Sequence, residues 1–152
     1  MPQSLAKVIV HVVYSTKNRE PWLEDRAIRT ELFAYNASIL SSNVDCPVLL
    51  IGGVEDHIHI LCLLSRKFSI MDVIKISKTE TSKWLKRKGP GLGSFQWQAG
   101  YGIFSVSESK VAHTKRYIAA QEEHHKRFSF QDEFRELCKR HGVSIDERYV
   151  WD

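Results

Sequence analysis

Val48–Val54 has the sequence VLLIGGV and Ile58–Leu64 has the sequence IHILCLL, and these two apolar runs decide the fold of this chain. Short apolar runs bounded by turn residues are typical of buried strands. Only the acidic pair Glu55-Asp56 and its neighbour separate them, so we predict adjacent antiparallel strands. The pair Gly52-Gly53 predicts a bulge or a bend in the first strand.

The amino-terminal side of this hairpin contributes one strand and one helix. Leu5–Thr16 (LAKVIVHVVYST) is rich in β-branched residues and too short for a typical capped helix, so it predicts a buried strand. Between Leu23 and Asn43, apolar residues recur at steps of three and four positions, which predicts a helix with one face on the sheet. Pro47 helps to end this helix.

The carboxyl-terminal side begins with a helix, a strand and a further helix. Apolar residues between Ile70 and Leu85 fall on one helical stripe, and this helix also carries many basic residues. Glycines then break the chain before a last strand, Ile103–Val106. A third helix is predicted over Glu108–Lys126.

A fourth helix completes the order of elements. Ser129 and Asp132 resemble a capping box at its start, and Gly142 is placed to end it. The order strand, helix, strand, strand, helix, strand, helix, helix predicts an α+β fold, a ferredoxin-like (RRM-like) antiparallel sheet with helices on one face and a C-terminal helical addition. Without repeats or linkers, 1–152 is predicted to be a single domain. This fold serves RNA binders, small-molecule enzymes and nucleases alike, so the site must decide the function.

The composition is that of a soluble globular protein, with 43% hydrophobic and 26% charged residues. The longest uncharged stretch, Gly89–Ser107, contains five glycines and does not predict a membrane span. The amino terminus lacks the pattern of a secretory signal, so we expect a cytoplasmic protein. The cysteines are widely spaced without a C-x-x-C pair, which argues against disulfides and a thiolate zinc site and predicts buried thiols at Cys46, Cys62 and Cys138.

Basic residues are concentrated in and around the second predicted helix. The whole chain has a net charge of only +4, whereas Arg66–Lys88 holds eight basic and two acidic residues, a local balance of +6. Such a segment is either a solvated helix face or a surface for a polyanion, most simply a nucleic acid.

The sequence His57-Ile58-His59 places two imidazoles on the same face of a strand. Two neutral imidazoles suit a divalent ion, but a working site needs a further ligand from elsewhere in the chain. A histidine-triad hydrolase, a two-histidine phosphoesterase and a helical metalloprotease are disfavoured, because the chain lacks their additional motif residues. The spacing alone does not separate a metal site from two ordinary strand residues.

A second polar cluster is predicted on the third helix. If that helix is regular, His113, Tyr117, Gln121 and His124 lie on one face. A ligand held by the Gln121 amide oxygen is then within reach of the Tyr117 phenol. A tyrosine, with a pKa of about 10, is a poor nucleophile at neutral pH unless a metal neutralises the phosphate that it attacks. Tyr117 is also compatible with an ordinary half-buried helix position, and the roles of His124 and His125 stay open.

Taken together, four segments resemble the IS200/IS605-type single-tyrosine transposases, which belong to the HUH endonuclease superfamily. The resemblance extends from the first strand to the tail at Arg148–Trp151, and the last two segments are the most specific. In chain order the four segments are Ser15–Arg19 (STKNR), Asp56–Leu61 (DHIHIL), Phe95–Ser107 (FQWQAGYGIFSVS) and Tyr117–His125 (YIAAQEEHH).

This resemblance implies an activity and a set of site residues. Tyr117 would be the nucleophile, and His57, His59 and Gln121 would hold a divalent metal, Mg²⁺ or Mn²⁺. Family members cut single-stranded DNA: the tyrosine attacks a phosphodiester, stays joined to the 5′ phosphate and releases a 3′ hydroxyl that can later rejoin strands. The resemblance thus implies a transposase that acts on hairpin-flanked element ends.

The resemblance also implies partners. Family members form dimers whose sheets join, and in some of them the tyrosine helix of one subunit completes the metal site of the other. It therefore implies a homodimer here, with a composite active site as one arrangement. Because the family recognises hairpins through basic and polar surfaces, the candidate phosphate contacts are Lys17, Arg19, Lys75, Lys78, Lys83, Lys86, Arg87 and Lys88.

Three other functions remain open at this stage. The first is a domesticated relative that cleaves repeated palindromes with the same active site. The second is a nicking domain of the replication-initiator or relaxase type, which normally belongs to a larger chain. The third is a non-catalytic nucleic-acid-binding ferredoxin-like module, for which the basic helix is sufficient and the histidines are incidental.

Overall fold

A four-stranded antiparallel sheet forms the centre of the computed structural model, which describes residues 2–152. Its strands are β1 (Ile9–Ser15), β2 (Val48–Gly53), β3 (His57–Leu63) and β4 (Gly102–Val106). They are ordered β2-β3-β1-β4, and every neighbouring pair is antiparallel. With two helices between the strands, this arrangement confirms the predicted ferredoxin-like α+β fold.

The central strand β1 is buried along its whole length, because helices cover both faces of the sheet. This explains why its sequence is almost uniformly apolar instead of alternating. The strand begins at Ile9, later than the predicted start at Leu5, whose side chain is 83% exposed. The irregularity predicted at the glycine pair of β2 is found earlier, between Val48 and Leu50, where the pairing with β3 shifts its register.

The first face of the sheet packs against α1 (Arg26–Asn43) and α2 (Ile70–Lys86). Asp25 and Ser69 cap these helices, each side chain accepting hydrogen bonds from backbone N–H groups of the first turn. The largest apolar cluster lies here and includes Val12, Leu32, Ile60, Val73 and Leu85. A buried hydrogen-bond network also joins sheet and helices through Tyr14, Asn36 and Ser77.

The opposite face carries α3 (Val111–Ala119), α4 (Gln121–His124) and α5 (Phe130–Arg140). The predicted uninterrupted helix over Glu108–Lys126 is wrong. It starts as a 3₁₀ turn and breaks at Ala120, whose φ and ψ are −94° and 15°. The Ala120 N–H is shared between two carbonyls of the preceding turn, which tightens the helix end and sets α4 apart. The fourth helix begins after Ser129, whose side chain accepts from the Asp132 N–H, as predicted.

Two glycines let helices of this second layer approach the sheet closely. A Cβ atom at Gly52 would lie 2.7 Å from the carbonyl oxygen of Ile118 in α3. A Cβ atom at Gly102 would lie 2.6 Å from the ring of Phe134 in α5. Because backbone and a packed aromatic ring cannot move aside easily, both positions need a residue without a side chain.

Two further findings concern sequence expectations. The three cysteines are free and buried, as predicted. Within residues 2–152, no helix combines the length and apolar character required to cross a membrane.

Replacing Gly52 with alanine should lower the free energy of unfolding by about 1–3 kcal/mol, because the new methyl group overpacks the α3 contact. Urea denaturation followed by circular dichroism measures this difference. Gly91→Ala is the matched control, since a Cβ there meets nothing within 4 Å. Equal stabilities of the two variants would contradict the close packing of α3 on β2.

Candidate active site

His57 and His59 extend from β3 onto the face of the sheet that α3, α4 and α5 cover. Both residues are fully buried, at 0% exposure, and their ring centroids are 5.2 Å apart. The prediction that the two imidazoles share a face is therefore confirmed. Since burial of polar rings requires partners, the atoms around them define the chemistry of this site.

Each of these imidazoles contacts a neighbouring side chain through its Nδ1 atom. His57 Nδ1 lies 2.7 Å from the carboxylate of Asp56, and His59 Nδ1 lies 2.8 Å from Nε2 of His11 on β1. Both rings consequently direct Nε2 towards the same interior point. Metal-binding histidines are typically oriented in this way, with a second group on the nitrogen that does not bind the ion. Sequence reasoning did not single out Asp56 or His11 for this role.

The Glu133 carboxylate on α5 occupies the point where these rings converge. Its side chain is 1% exposed, and Oε1 lies 2.9 Å from His59 Nε2 and 3.3 Å from His57 Nε2. The other oxygen accepts hydrogen bonds from the Tyr117 hydroxyl and from the Gln121 amide nitrogen, the latter at 3.1 Å. The sequence analysis missed Glu133, because an acidic residue in the first turn of a helix usually lies in solvent.

All four residues that the sequence singled out for chemistry thus meet within one chain. The Gln121 amide oxygen is 3.2 Å from His57 Nε2, and the ring centroids of Tyr117 and His59 are 5.7 Å apart. Tyr117 and the two histidines are therefore adjacent without any contribution from a second subunit.

His124 and His125 also face Glu133. Their Nε2 atoms lie 3.3 and 3.1 Å from its second carboxylate oxygen, yet neither has a hydrogen-bond partner among the described residues. In His125 the other nitrogen contacts the Phe128 carbonyl at 2.7 Å, so it is the protonated one in the neutral ring. The Nε2 lone pair of the neutral ring is then buried without a donor and is available to a cation.

These donors fit a divalent metal ion. Ligand atoms of His57, His59, His125 and Glu133 all lie within 4.8 Å of one another, and the Gln121 amide oxygen is adjacent. Imidazole nitrogens together with one carboxylate suit a divalent transition metal better than Mg²⁺, which prefers an all-oxygen ligand set. His125 and Glu133 add to the ligand set predicted from the sequence.

The carboxylates also set the protonation of the histidines. Burial lowers the pKa of His57, but hydrogen bonds with Asp56 and Glu133 more than reverse this and raise it to about 9. Burial lowers the pKa of His59, and burial together with the neighbouring His59 lowers the pKa of His11 to about 3. Without a bound ion, the two carboxylates therefore favour the protonated form of His57.

Glu133 and Tyr117 are shifted in opposite directions. Burial opposes ionisation of Glu133, but contacts with His125, His57 and His59 hold its pKa far below the usual range. Burial and the adjacent Glu133 charge raise the pKa of Tyr117. The phenol is thus fully protonated and donates to an ionised carboxylate.

Five of the eight candidate phosphate contacts line one groove of about 940 Å³ along α2, and these are Lys17, Lys75, Lys78, Lys83 and Lys86. The groove also presents the indole of Trp97 and the ring of Tyr101. The remaining three lie outside it. Arg19 contacts the ring of Trp151, Lys88 pairs with Glu31 at 3.0 Å, and Arg87 caps the end of α2.

Within this groove Lys78 is already engaged by the protein. Its Nζ donates to the carbonyls of Gln98 and Gly100 at 2.8 and 2.6 Å and lies over the ring of Tyr14. Lys78 therefore fastens the loop before β4 to α2, whereas Lys75 and Lys86 are exposed.

Comparisons with known proteins give a match to one family and to two solved structures. The sequence profile of the family described as IS200-like transposases matches residues 4–121, a span that contains His57, His59, Tyr117 and Gln121 and ends before α5. Among the curated proteins, no match was found.

Two solved structures are similar in fold. A Deinococcus radiodurans R1 protein assigned as a transposase has a TM-score of 0.61 and 22% identity, over 80% of this chain and 95% of that chain. A REP-associated tyrosine transposase bound to a REP hairpin has a TM-score of 0.57 and 11% identity, over 79% of this chain and 70% of that chain. At these identities the likeness establishes the shared fold.

Replacing Asp56 with asparagine should weaken binding of Mn²⁺ by roughly 10- to 100-fold, because the carboxylate that orients His57 is lost. Isothermal titration with MnCl₂ measures the affinity directly, without any DNA. Asp45→Asn, at an exposed site paired weakly with Lys67, serves as the control and should bind as the parent protein does. Retention of full affinity in Asp56→Asn would exclude the positioning role of Asp56.

Proposed function

Since the chain belongs to the family of IS200-like transposases, we propose that it cleaves and rejoins single-stranded DNA through a covalent bond to Tyr117. The observation that supports this most directly is the convergence of the Tyr117 hydroxyl, His57, His59 and Gln121 on one buried carboxylate. A nucleophile beside a ligand set for a divalent ion is the arrangement that phosphoryl transfer requires.

The proposed reaction is a transesterification. The Tyr117 oxygen forms a bond to phosphorus, the bond from phosphorus to the 3′ oxygen breaks, and the leaving oxygen ends as a 3′ hydroxyl. The 5′ phosphate remains joined to Tyr117, so the reverse reaction with another 3′ hydroxyl can rejoin strands without an external energy source. A divalent ion bound at the site would draw negative charge from the phosphate and so lower the barrier to attack.

Several residues have defined tasks in this proposal. His57, His59 and Gln121 would hold the ion, with His125 and Glu133 available to complete its coordination. Within residues 2–152, the Tyr117 hydroxyl donates to no side chain other than Glu133. Glu133 therefore orients the phenol and does not act as its base, because contacts with the histidines hold the Glu133 pKa far below the usual range; the proton that the phenol loses is balanced by the one that the 3′ oxygen gains.

The proposed substrate is DNA in which a hairpin adjoins a single strand. The groove along α2 offers exposed cations to the phosphate backbone, and one structural neighbour is bound to a REP hairpin. Lysines that contact phosphates supply affinity without sequence specificity. The homodimer implied by the resemblance stays a proposal, although the site itself is assembled within one chain.

Replacing Tyr117 with phenylalanine should abolish the covalent protein–DNA adduct and leave DNA binding intact, because only the attacking oxygen is removed. The protein is incubated with labelled single-stranded DNA that contains a hairpin, with Mn²⁺, with Mg²⁺ or with a chelator, and run on a denaturing gel. Tyr149→Phe, which changes an exposed tyrosine, should keep the adduct.

Two results of this experiment would refute the proposal. An adduct retained in Tyr117→Phe would remove Tyr117 from the chemistry. Binding of the DNA without cleavage under either metal would favour the non-catalytic nucleic-acid-binding module.

Replacing Lys75 with alanine should weaken DNA binding and reduce the slope of log affinity against log salt by about 1, since one phosphate contact is lost. Fluorescence anisotropy at several salt concentrations gives both quantities. Lys67→Ala removes another exposed charge, which lies outside the groove, and should leave the slope unchanged. Identical slopes in the two variants would show that the α2 groove does not hold the backbone.

A further inference from the structure

Gln121 begins α4, a helix of only four residues that follows directly on the break at Ala120. A single helical turn is not stable on its own, because closing its first hydrogen bonds fixes several residues for little gain. Contacts with the rest of the protein must therefore set the orientation of α4. Gln121 itself is buried at 1% exposure, whereas the side chain of the next residue, Glu122, extends to α1.

The Glu122 carboxylate connects α4 to α1 through both of its oxygens. Oε1 accepts a hydrogen bond from Arg29 Nη2, and Oε2 accepts one from Arg26 Nη2, each at 2.8 Å. Within residues 2–152, no other side-chain hydrogen bond joins these two helices. Residues of α1, β2 and α4, with Arg29, Gln121 and Glu122 among them, line one cleft of about 240 Å³. The connection between the two layers is therefore made at the edge strand β2.

The two arginines that hold Glu122 differ in burial. The side chain of Arg29 is 7% exposed and that of Arg26 is 78% exposed. Arg29 also donates from Nη1 to the Leu23 carbonyl at 2.7 Å, so its rigid planar guanidinium fixes Glu122 relative to the segment before α1. An ion pair in solvent contributes little, whereas a buried arginine must keep its partners. Arg29 is therefore the residue whose removal should displace Glu122.

We propose that Arg29 is a positioning residue for the metal ligand Gln121. Successive side chains of a helix point about 100° apart, so holding Glu122 fixes the rotation of this single turn and with it the direction of Gln121. In this orientation the Gln121 amide oxygen lies 3.2 Å from His57 Nε2, at the ligand set for the ion. The inference rests on the proposed function, because it takes Gln121 as a ligand of the divalent ion.

The test measures the affinity for Mn²⁺ by isothermal titration, without DNA, in Arg29→Met and in Glu122→Ala. Glu122→Ala leaves the contact of Arg29 with Leu23 in place, so it provides the test if Arg29→Met fails to fold. The first control is Arg26→Met, which removes the exposed partner of the same carboxylate. The second control is Glu123→Ala, which removes the neighbouring exposed carboxylate. Circular dichroism verifies that each variant is folded.

Arg29→Met and Glu122→Ala should each lower the affinity for Mn²⁺ by roughly tenfold, the lower end of the range for groups that orient metal ligands. Both controls should bind as the parent does. In a Gln121→Ala background, Arg29→Met should change the affinity by less than about twofold, because the group that it positions is gone. A general loss of stability would instead lower the affinity in both backgrounds. Equal losses with and without Gln121, or an unchanged affinity in Arg29→Met, would overturn the proposal.

Failure of this inference is distinguishable from failure of the proposed function, because metal affinity and the DNA adduct are measured separately. If the parent chain forms the Tyr117 adduct while Arg29→Met binds Mn²⁺ as the parent does, the positioning role alone is wrong. If no adduct forms but Arg29→Met loses affinity only where Gln121 is present, Arg29 positions a metal ligand and the cleavage proposal is wrong. If the parent chain binds no Mn²⁺, the positioning role is wrong whatever the adduct assay shows.

Discussion

The buried carboxylate of Glu133 constrains how α3, α4 and α5 pack on the sheet. An isolated charge inside a protein costs several kcal/mol, so it must be surrounded by donors. Those donors come from three other elements: the histidines of β3, Tyr117 of α3 and Gln121 of α4. Because all of these donors contact the Glu133 carboxylate, it fixes the positions of the helices relative to the sheet. The glycines Gly52 and Gly102 allow the helices to come close enough to the sheet for these contacts.

Local patterns in the sequence were sufficient to predict the fold and four residues of the candidate site, namely His57, His59, Tyr117 and Gln121. Strand periodicity placed His57 and His59 on one face, and the side chain of Ser129 caps α5 as expected. Helical spacing brought Tyr117 and Gln121 together even though the helix breaks between them. The break at Ala120 had no local signal in the sequence, because alanine is the best helix former.

Long-range contacts account for what was missed. Glu133 is 76 residues from His57 in the sequence, and nothing near it indicates burial. His11 becomes a partner of His59 only through the pairing of β1 with β3, which puts the two residues on the same face. Residues such as Glu133 and His11 are recognised from a tertiary structure and not from a motif, because the fold determines which side chains they contact.

The position of Glu133 in the chain has a consequence for how the active unit is delimited. The family profile ends at residue 121, whereas α5 begins at Phe130. A protein trimmed to the matched span would retain His57, His59, Tyr117 and Gln121 and still lose the carboxylate that touches Tyr117. Sequence similarity therefore marks a smaller unit than the one that assembles the candidate site, because α5 lies outside the matched span.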